Sequence, residues 1–213
     1  CLLANCYSMM ANLTQGWHRR RTSAAERSDY ADVASLLELN LGQGYYSYAD
    51  FAVAPECRSD ACRGGRSDGY YAGGGYVTAD GDYHYFEYCR RAARNPIDFL
   101  EGDTMVVAVS RLGHKWRGCV VPFGLDNSAF QLSLAKWRSR ADRLQVLVRK
   151  LFELQITGGF ILRSYWLSSE ANLLADHLSR RREDEFLSDV YSTGFWSSGV
   201  LPRRDPEAGS LRQ

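Results

Sequence analysis

Nowhere in this chain do about 18 apolar residues run together, the length a helix needs to cross a bilayer, so no transmembrane segment and no membrane partner are expected. A basic run followed by an apolar one is missing from the N-terminus, which argues against a signal peptide. The chain opens at Cys1 without an initiating methionine, and this suggests a segment of a longer polypeptide. Paired cysteines are absent as well. Cys1, Cys6, Cys57, Cys62, Cys89 and Cys119 offer no Cys-x-x-Cys and no framework spacing, so reduced thiols in an intracellular, cytoplasmic or nuclear protein are expected. A zinc site using these cysteines with His84 and His114 is disfavoured. Net charge is only +1, so the chain as a whole has no electrostatic bias towards nucleic acid. No Gly-x-x-x-x-Gly-Lys-Ser/Thr or Gly-x-Gly-x-x-Gly leads into a helix, which makes a phosphate-cradling loop a weak reading of the glycine run at 73–75.

What is present is a globular composition: 213 residues, 45% hydrophobic and 13% aromatic, enough for one sizeable domain with appendages. Positive charge is concentrated locally, at Lys136, Arg138, Arg140, Arg143, Arg149 and Lys150 and again at Arg180-Arg181-Arg182. Such stretches either neutralise phosphates or form a solvated helix face.

The periodicity changes along the chain. A helix is expected over Asp29–Leu41, closed by Gly42 and Gly44. Tyr45–Asp60 leans towards β and is interrupted by Pro55. Tyr70–Val77 and Tyr83–Tyr88, joined by Asp80-Gly81-Asp82, complete an antiparallel meander of three strands. From Pro96 helix and strand alternate: a helix carrying Ile97, Leu100, Thr104, Ala108 and Leu112, a strand at Cys119–Leu125, and helices at Ser128–Trp137 and Asp142–Leu154. A strand at Phe160–Leu167 and a last helix at Asn172–Arg182 follow. The fold class expected is therefore α/β, a mixed five-stranded sheet flanked by helices.

Four acidic residues fall at element ends: Asp60 closing the first strand, Glu101 early in the first long helix, Asp126 closing the Cys119–Leu125 strand, and Asp176 in the last helix. Taken alone, Asp176 reads as a solvated or paired helical Asp. Strand ends in such a sheet converge on one crevice, and carboxylates gathered there repel one another unless cations sit between them. An all-oxygen set points to hard divalent ions. Two ions roughly 3.5–4 Å apart suit phosphodiester hydrolysis.

These residues resemble a known family. Ser59-Asp60-Ala61, Ile97-Asp98-Phe99-Leu100-Glu101, Leu125-Asp126-Asn127 and above all Asn172-Leu173-Leu174-Ala175-Asp176-His177-Leu178-Ser179-Arg180 are similar to the ribonuclease H domain of retrotransposon polyproteins. The resemblance implies a ribonuclease H-like domain over 49–182. Residues 1–48 become a linker or the end of a preceding polymerase region, and 183–213 a flexible tail. It further implies two Mg²⁺ or Mn²⁺ ions held by Asp60, Glu101, Asp126 and Asp176, with Asn127 and Asn172 near the substrate. The substrate would be an RNA–DNA hybrid, and a reverse transcriptase domain in the same polyprotein a partner. Asp98 and Asp103 compete with Glu101 for the helix position, Asp98 also fitting a cap. The sequence departs from the family in having no histidine in the loop before the last helix, where Tyr165-Trp166-Leu167-Ser168-Ser169 stands, and in placing Cys62 where a small hydroxyl residue is usual. His177, inside the helix, reads as a surface residue. A catalytically silent nucleic-acid-binding module, for which Trp116, Trp137 and Trp166 would be contacts, and a DNA-directed nuclease are the alternatives.

Overall fold

The computed structural model describes residues 23–38, 51–64, 71–197 and 199–205. The chain divides into two units, Cys1–Ser47 and Tyr48–Gln213. In the first, helix α1 spans Ala24–Glu38. It begins five residues before the expected Asp29 because Ser23 and Glu26 form a reciprocal cap. The Glu26 N–H donates to Ser23 Oγ (3.2 Å) and the Ser23 N–H donates to Glu26 Oε2 (2.6 Å). The predicted end at Leu41 lies outside the described residues.

The second unit is a mixed sheet. Strands β1 (Ala52–Val53), β2 (Cys57–Arg63), β3 (Ala72–Thr78) and β4 (Asp82–Glu87) precede helix α2 (Ile97–Leu112) and strand β5 (Cys119–Leu125). Helices α3 (Ser128–Ala135) and α4 (Asp142–Gly158), strand β6 (Ile161–Trp166), helices α5 (Leu173–Ser179) and α6 (Glu183–Asp189) and strand β7 (Arg203–Arg204) follow. β2, β3 and β4 are antiparallel neighbours, while β5 runs parallel to β1, β2 and β6. The expected sheet is present, with the two-residue strands β1 and β7 added to it. Pro55 separates β1 from β2, and both pair with the same side of β5. The outer edge of β6 is covered by side chains: Gln155 Oε1 accepts from the Leu162 N–H (2.8 Å) and Gln131 Nε2 donates to the Ser164 carbonyl (3.4 Å). α4 ends at Gly159, whose left-handed φ of 70° lets its N–H reach the Gln155 and Ile156 carbonyls. Among the described residues no helix is long and apolar enough to cross a membrane.

Side-chain parity sorts the helices onto two faces. On one, Leu100 of α2 packs with Ala61, Ala72 and Tyr88. On the other, Leu174 and Leu178 of α5 pack with Val77 and Tyr83. The glycine run sits between them inside β3. A Cβ on Gly73 would lie 2.1 Å from the Ser179 carbonyl oxygen, and one on Gly75 would lie 2.5 Å from Leu178 Cβ. Gly74 faces the other way, where a Cβ would meet Thr104 Oγ1 at 2.6 Å. The run is neither a turn nor a phosphate cradle. It is a strip without side chains onto which two helices close.

The expectation of a flexible tail from 183 needs correction. Phe186, Val190 and Trp196 are buried in the α5 cluster, and Trp196 Nε1 donates to the Thr78 carbonyl (2.7 Å). Arg203 and Arg204 pair in parallel with Asp82 and Tyr83 of β4. The polar composition of this segment hid its order, since its arginines are spent on Asp80, Asp82 and Glu183. Residues 206–213 lie outside the described residues. α5 is also shorter than expected, because Arg181 adopts φ 59° and turns the chain towards α6.

Gly73→Ala is expected to destabilise the protein by about 1–3 kcal/mol or more, because the clash is with backbone. Phe186→Ala should cost about 3–5 kcal/mol. Urea denaturation checks both; an unchanged midpoint for Phe186→Ala would contradict the packed C-terminal segment.

Candidate active site

Parallel pairing of β2 with β5 ends at Arg58↔Gly124. Two residues further along each strand stand Asp60 and Asp126, level with each other where the strands part. Asp60 is thus in the middle of β2 and not at its end, yet it lies beyond the last β5 partner, so the crevice still opens beside it. α2 adds Glu101 near its N-terminal end. One oxygen from each of Asp60, Glu101 and Asp126 lies within 4.8 Å of the other two.

Burial dominates the electrostatics. It pushes the Asp60 carboxyl up to about 8, opposed by a hydrogen bond from Ser179 and reinforced by the charges of Asp126, Asp176 and Glu101. Burial also raises Glu101 to about 7, opposed by the Asn127 side chain and reinforced by Asp126 and Asp98. Asp126 is shifted upward, again chiefly by burial. The Oε2 atom of Glu101 is buried without a hydrogen-bond partner among the described residues. Crowded, buried oxygens with an orphan acceptor fit a hard divalent cation and no soft one.

Asp176 stands beside this group and not within it. It is only partly buried, and its Oδ1 accepts from Arg180 Nε (2.7 Å), one turn along α5. Its charge nevertheless raises both Asp60 and Asp126, so it faces the same crevice. The competitors are accounted for otherwise. Asp98 is paired with Arg143 (2.8 Å) and also accepts from the Phe99 N–H, and Asp103 interacts with Tyr88.

Both asparagines make internal contacts, and the Asn127 side chain also reaches Glu101. Asn127 Oδ1 caps α3 by accepting from the Phe130 N–H (2.9 Å). Asn172 is 1% exposed, and its Nδ2 donates to the Ser59 carbonyl (3.1 Å), tying the start of α5 to β2 rather than reaching an open cleft. His177 is not a surface residue: it is buried, with Nε2 3.1 Å from Asp189 Oδ2. Ser179, not among the residues the sequence singles out for the site, contacts Asp60 through its hydroxyl. The Leu-Ser-Arg ending of the motif was the available signal.

Of the three tryptophans, Trp116 is buried against Phe160 and Trp137 packs on Phe152. Trp166 is 56% exposed, and its Nε1 donates to the Asp126 carbonyl (3.0 Å), fixing the indole beside the carboxylates. The basic stretch at 136–150 is partly consumed internally, with Arg143 on Asp98, Lys150 on Glu153 and Arg149 buried.

In the unfolded chain an Asp titrates near 3.9, so between that value and about 8 the folded protein holds a proton on Asp60 that the unfolded chain has lost. The stability from this group is complete at low pH and is lost as pH rises through about 8. The metal-free protein should therefore melt at lower temperature at about pH 9 than at about pH 5. Mg²⁺ should raise the melting temperature most at the alkaline end, and Asp60→Asn should flatten both effects. Melting curves with and without chelator check this.

No protein-family model and no curated protein matches the sequence. Among solved structures, ribonuclease H1 from the halophilic archaeon Halobacterium salinarum is similar at 18% identity, covering 62% of this chain and 98% of its own, with a TM-score of 0.49. LC11 ribonuclease H1 in complex with an RNA/DNA hybrid gives 18% identity over 63% of this chain and 99% of its own, with a TM-score of 0.46. A foamy viral protease–reverse transcriptase in complex with an RNA/DNA hybrid gives 14% over 66% of this chain and 21% of its own, with a TM-score of 0.40. The architecture itself is an antiparallel meander followed by parallel strands with helices on both faces, the mixed sheet expected from the sequence.

Proposed function

We propose that this chain is a metal-dependent endonuclease that hydrolyses the RNA strand of RNA–DNA hybrids, as the ribonuclease H domain of a retroelement reverse transcriptase polyprotein or its remnant. The observation that carries the reading is the group of buried Asp60 with half-buried Glu101 and Asp126, with three oxygens within 4.8 Å. Two Mg²⁺ or Mn²⁺ ions would supply, when bound, an activated water and stabilisation of the leaving oxygen. Asp60 and Asp126, level on adjacent strands, are the residues to share both ions; Glu101 would hold the first and Asp176 the second. Asn127 orients Glu101, and Asn172 holds α5 against the strand bearing Asp60. Trp166 offers a fixed aromatic face at the rim on which a base can stack. The Asn172–Arg180 motif supports the retroelement origin, with residues 1–48 as the link to a polymerase region. The four described cysteines, all free, are compatible with action in the cytoplasm or nucleus.

One observation favours the silent-module alternative: Asp176 already has a cationic partner in Arg180. Incubation with an end-labelled RNA–DNA hybrid separates the two. Nuclease function requires Mg²⁺-dependent cleavage of the RNA strand that chelator stops. Asp60→Asn and Asp126→Asn should abolish it, while Asp98→Asn should leave the rate near wild type. Salt-sensitive hybrid binding without cleavage would instead establish the silent module. Cleavage of duplex DNA at the same rate would overturn hybrid specificity.

A further inference from the structure

We infer that Ser179 is a positioning residue of the carboxylate centre, its hydroxyl fixing Asp60 in the orientation that receives a divalent cation. The inference rests on the metal-centre reading and goes beyond it to a residue outside the carboxylate set. Ser179 is the last residue of α5, fully buried, three residues after Asp176. Its Oγ donates to Asp60 Oδ2 at 2.6 Å, a short hydroxyl–carboxyl hydrogen bond. The Asp176 carbonyl lies further from the same hydroxyl, at 3.0 Å. A hydroxyl has one proton to give, and the shorter bond goes to the carboxylate. One side chain therefore links the helix that carries Asp176 to the strand that carries Asp60. One oxygen of Asp60 is held by the protein, and the other remains for a cation.

The backbone of Ser179 is held in turn. Its carbonyl accepts from Tyr71 Oη (2.8 Å) and from Cys62 Sγ (3.0 Å), the latter two residues along β2 from Asp60. This gives Cys62, which departs from the usual small hydroxyl residue, a place in the same arrangement. The absence of side chains at Gly73 and Gly75 permits the approach. A residue serving only to fill the helix–strand contact would need no hydroxyl, and burying one is unfavourable unless it is bonded. Partners that orient metal ligands in this way typically contribute 10–100-fold to affinity.

The test is Mn²⁺ binding to the metal-free protein in the absence of nucleic acid, read by calorimetry or by loss of the free-ion electron paramagnetic resonance signal, with melting curves recorded in parallel. Ser179→Ala should weaken Mn²⁺ binding about 10–100-fold. Ser179→Thr, which keeps the hydroxyl, should bind within a few-fold of wild type. In hybrid cleavage, the Ser179→Ala defect should shrink as Mn²⁺ is raised. Unchanged Mn²⁺ affinity in a folded Ser179→Ala protein overturns the inference and leaves the metal centre standing. A wild-type protein that binds no Mn²⁺ overturns both. Should Ser179→Ala not fold, Ser179→Thr decides on the same readout: wild-type affinity supports the inference, and a tenfold loss despite the retained hydroxyl overturns it.

Discussion

Helix α5 touches the backbone of β3 because Gly73 and Gly75 carry no side chains, and the distances at the carboxylate crevice follow from that approach. Any Cβ at these positions would push the helix outward. Ser179 would then leave Asp60, and Asp176 would retreat from the mouth of the crevice. Beside α5, Phe186, Val190 and Trp196 pack with Leu174 and Leu178 and with Val77 and Tyr83 of the sheet, so the helix is held by a bare strand and an apolar cluster. The rigidity of the carboxylate crevice comes here from steric fit more than from hydrogen bonds within the helix itself, which has only seven residues.

Against this packing works the mutual repulsion of the acids it assembles. Asp60 and Glu101 are raised towards neutrality or beyond because burial removes the water that would otherwise solvate their charge. A site built this way is poor at holding its own charge and correspondingly receptive to an external one. Arg180 partly offsets the repulsion at Asp176 and leaves the other three without a cation of comparable closeness among the described residues.

Much of this was legible in the sequence where periodicity and residue type agree. Cys119–Leu125 is an uninterrupted apolar run and forms β5 with the expected bounds, which is why Asp126 could be placed at its end. Pro96 marked the start of α2 for a local reason of backbone geometry, whereas α4 runs past the expected Leu154 to Gly158. The misreadings share a different cause. The glycines at 73–75 read as strand residues, as they are, but why Gly73 and Gly75 are bare lies in what approaches them from more than one hundred residues away. His177 looks like a surface residue, whereas the chain buries it beside Asp189 of α6. Residues 183–205 look like a charged tail until Asp80, Asp82 and Glu183 are seen to receive the arginines. Each error concerns a tertiary partner, which no window of sequence contains.

The C-terminal segment also sets an order of events during synthesis. Trp196 reaches Thr78, Asp205 receives Tyr76 and Arg111, and Ser179 reaches Asp60, all across long spans of chain. While the ribosome is still adding residues beyond 180, β2 to β6 can pair, but nothing yet holds α5 from outside. The inner three acids are gathered by β2, α2 and β5 alone, whereas α5, with Asp176 and Ser179, is packed from its neighbours only once residues 186–205 are in place.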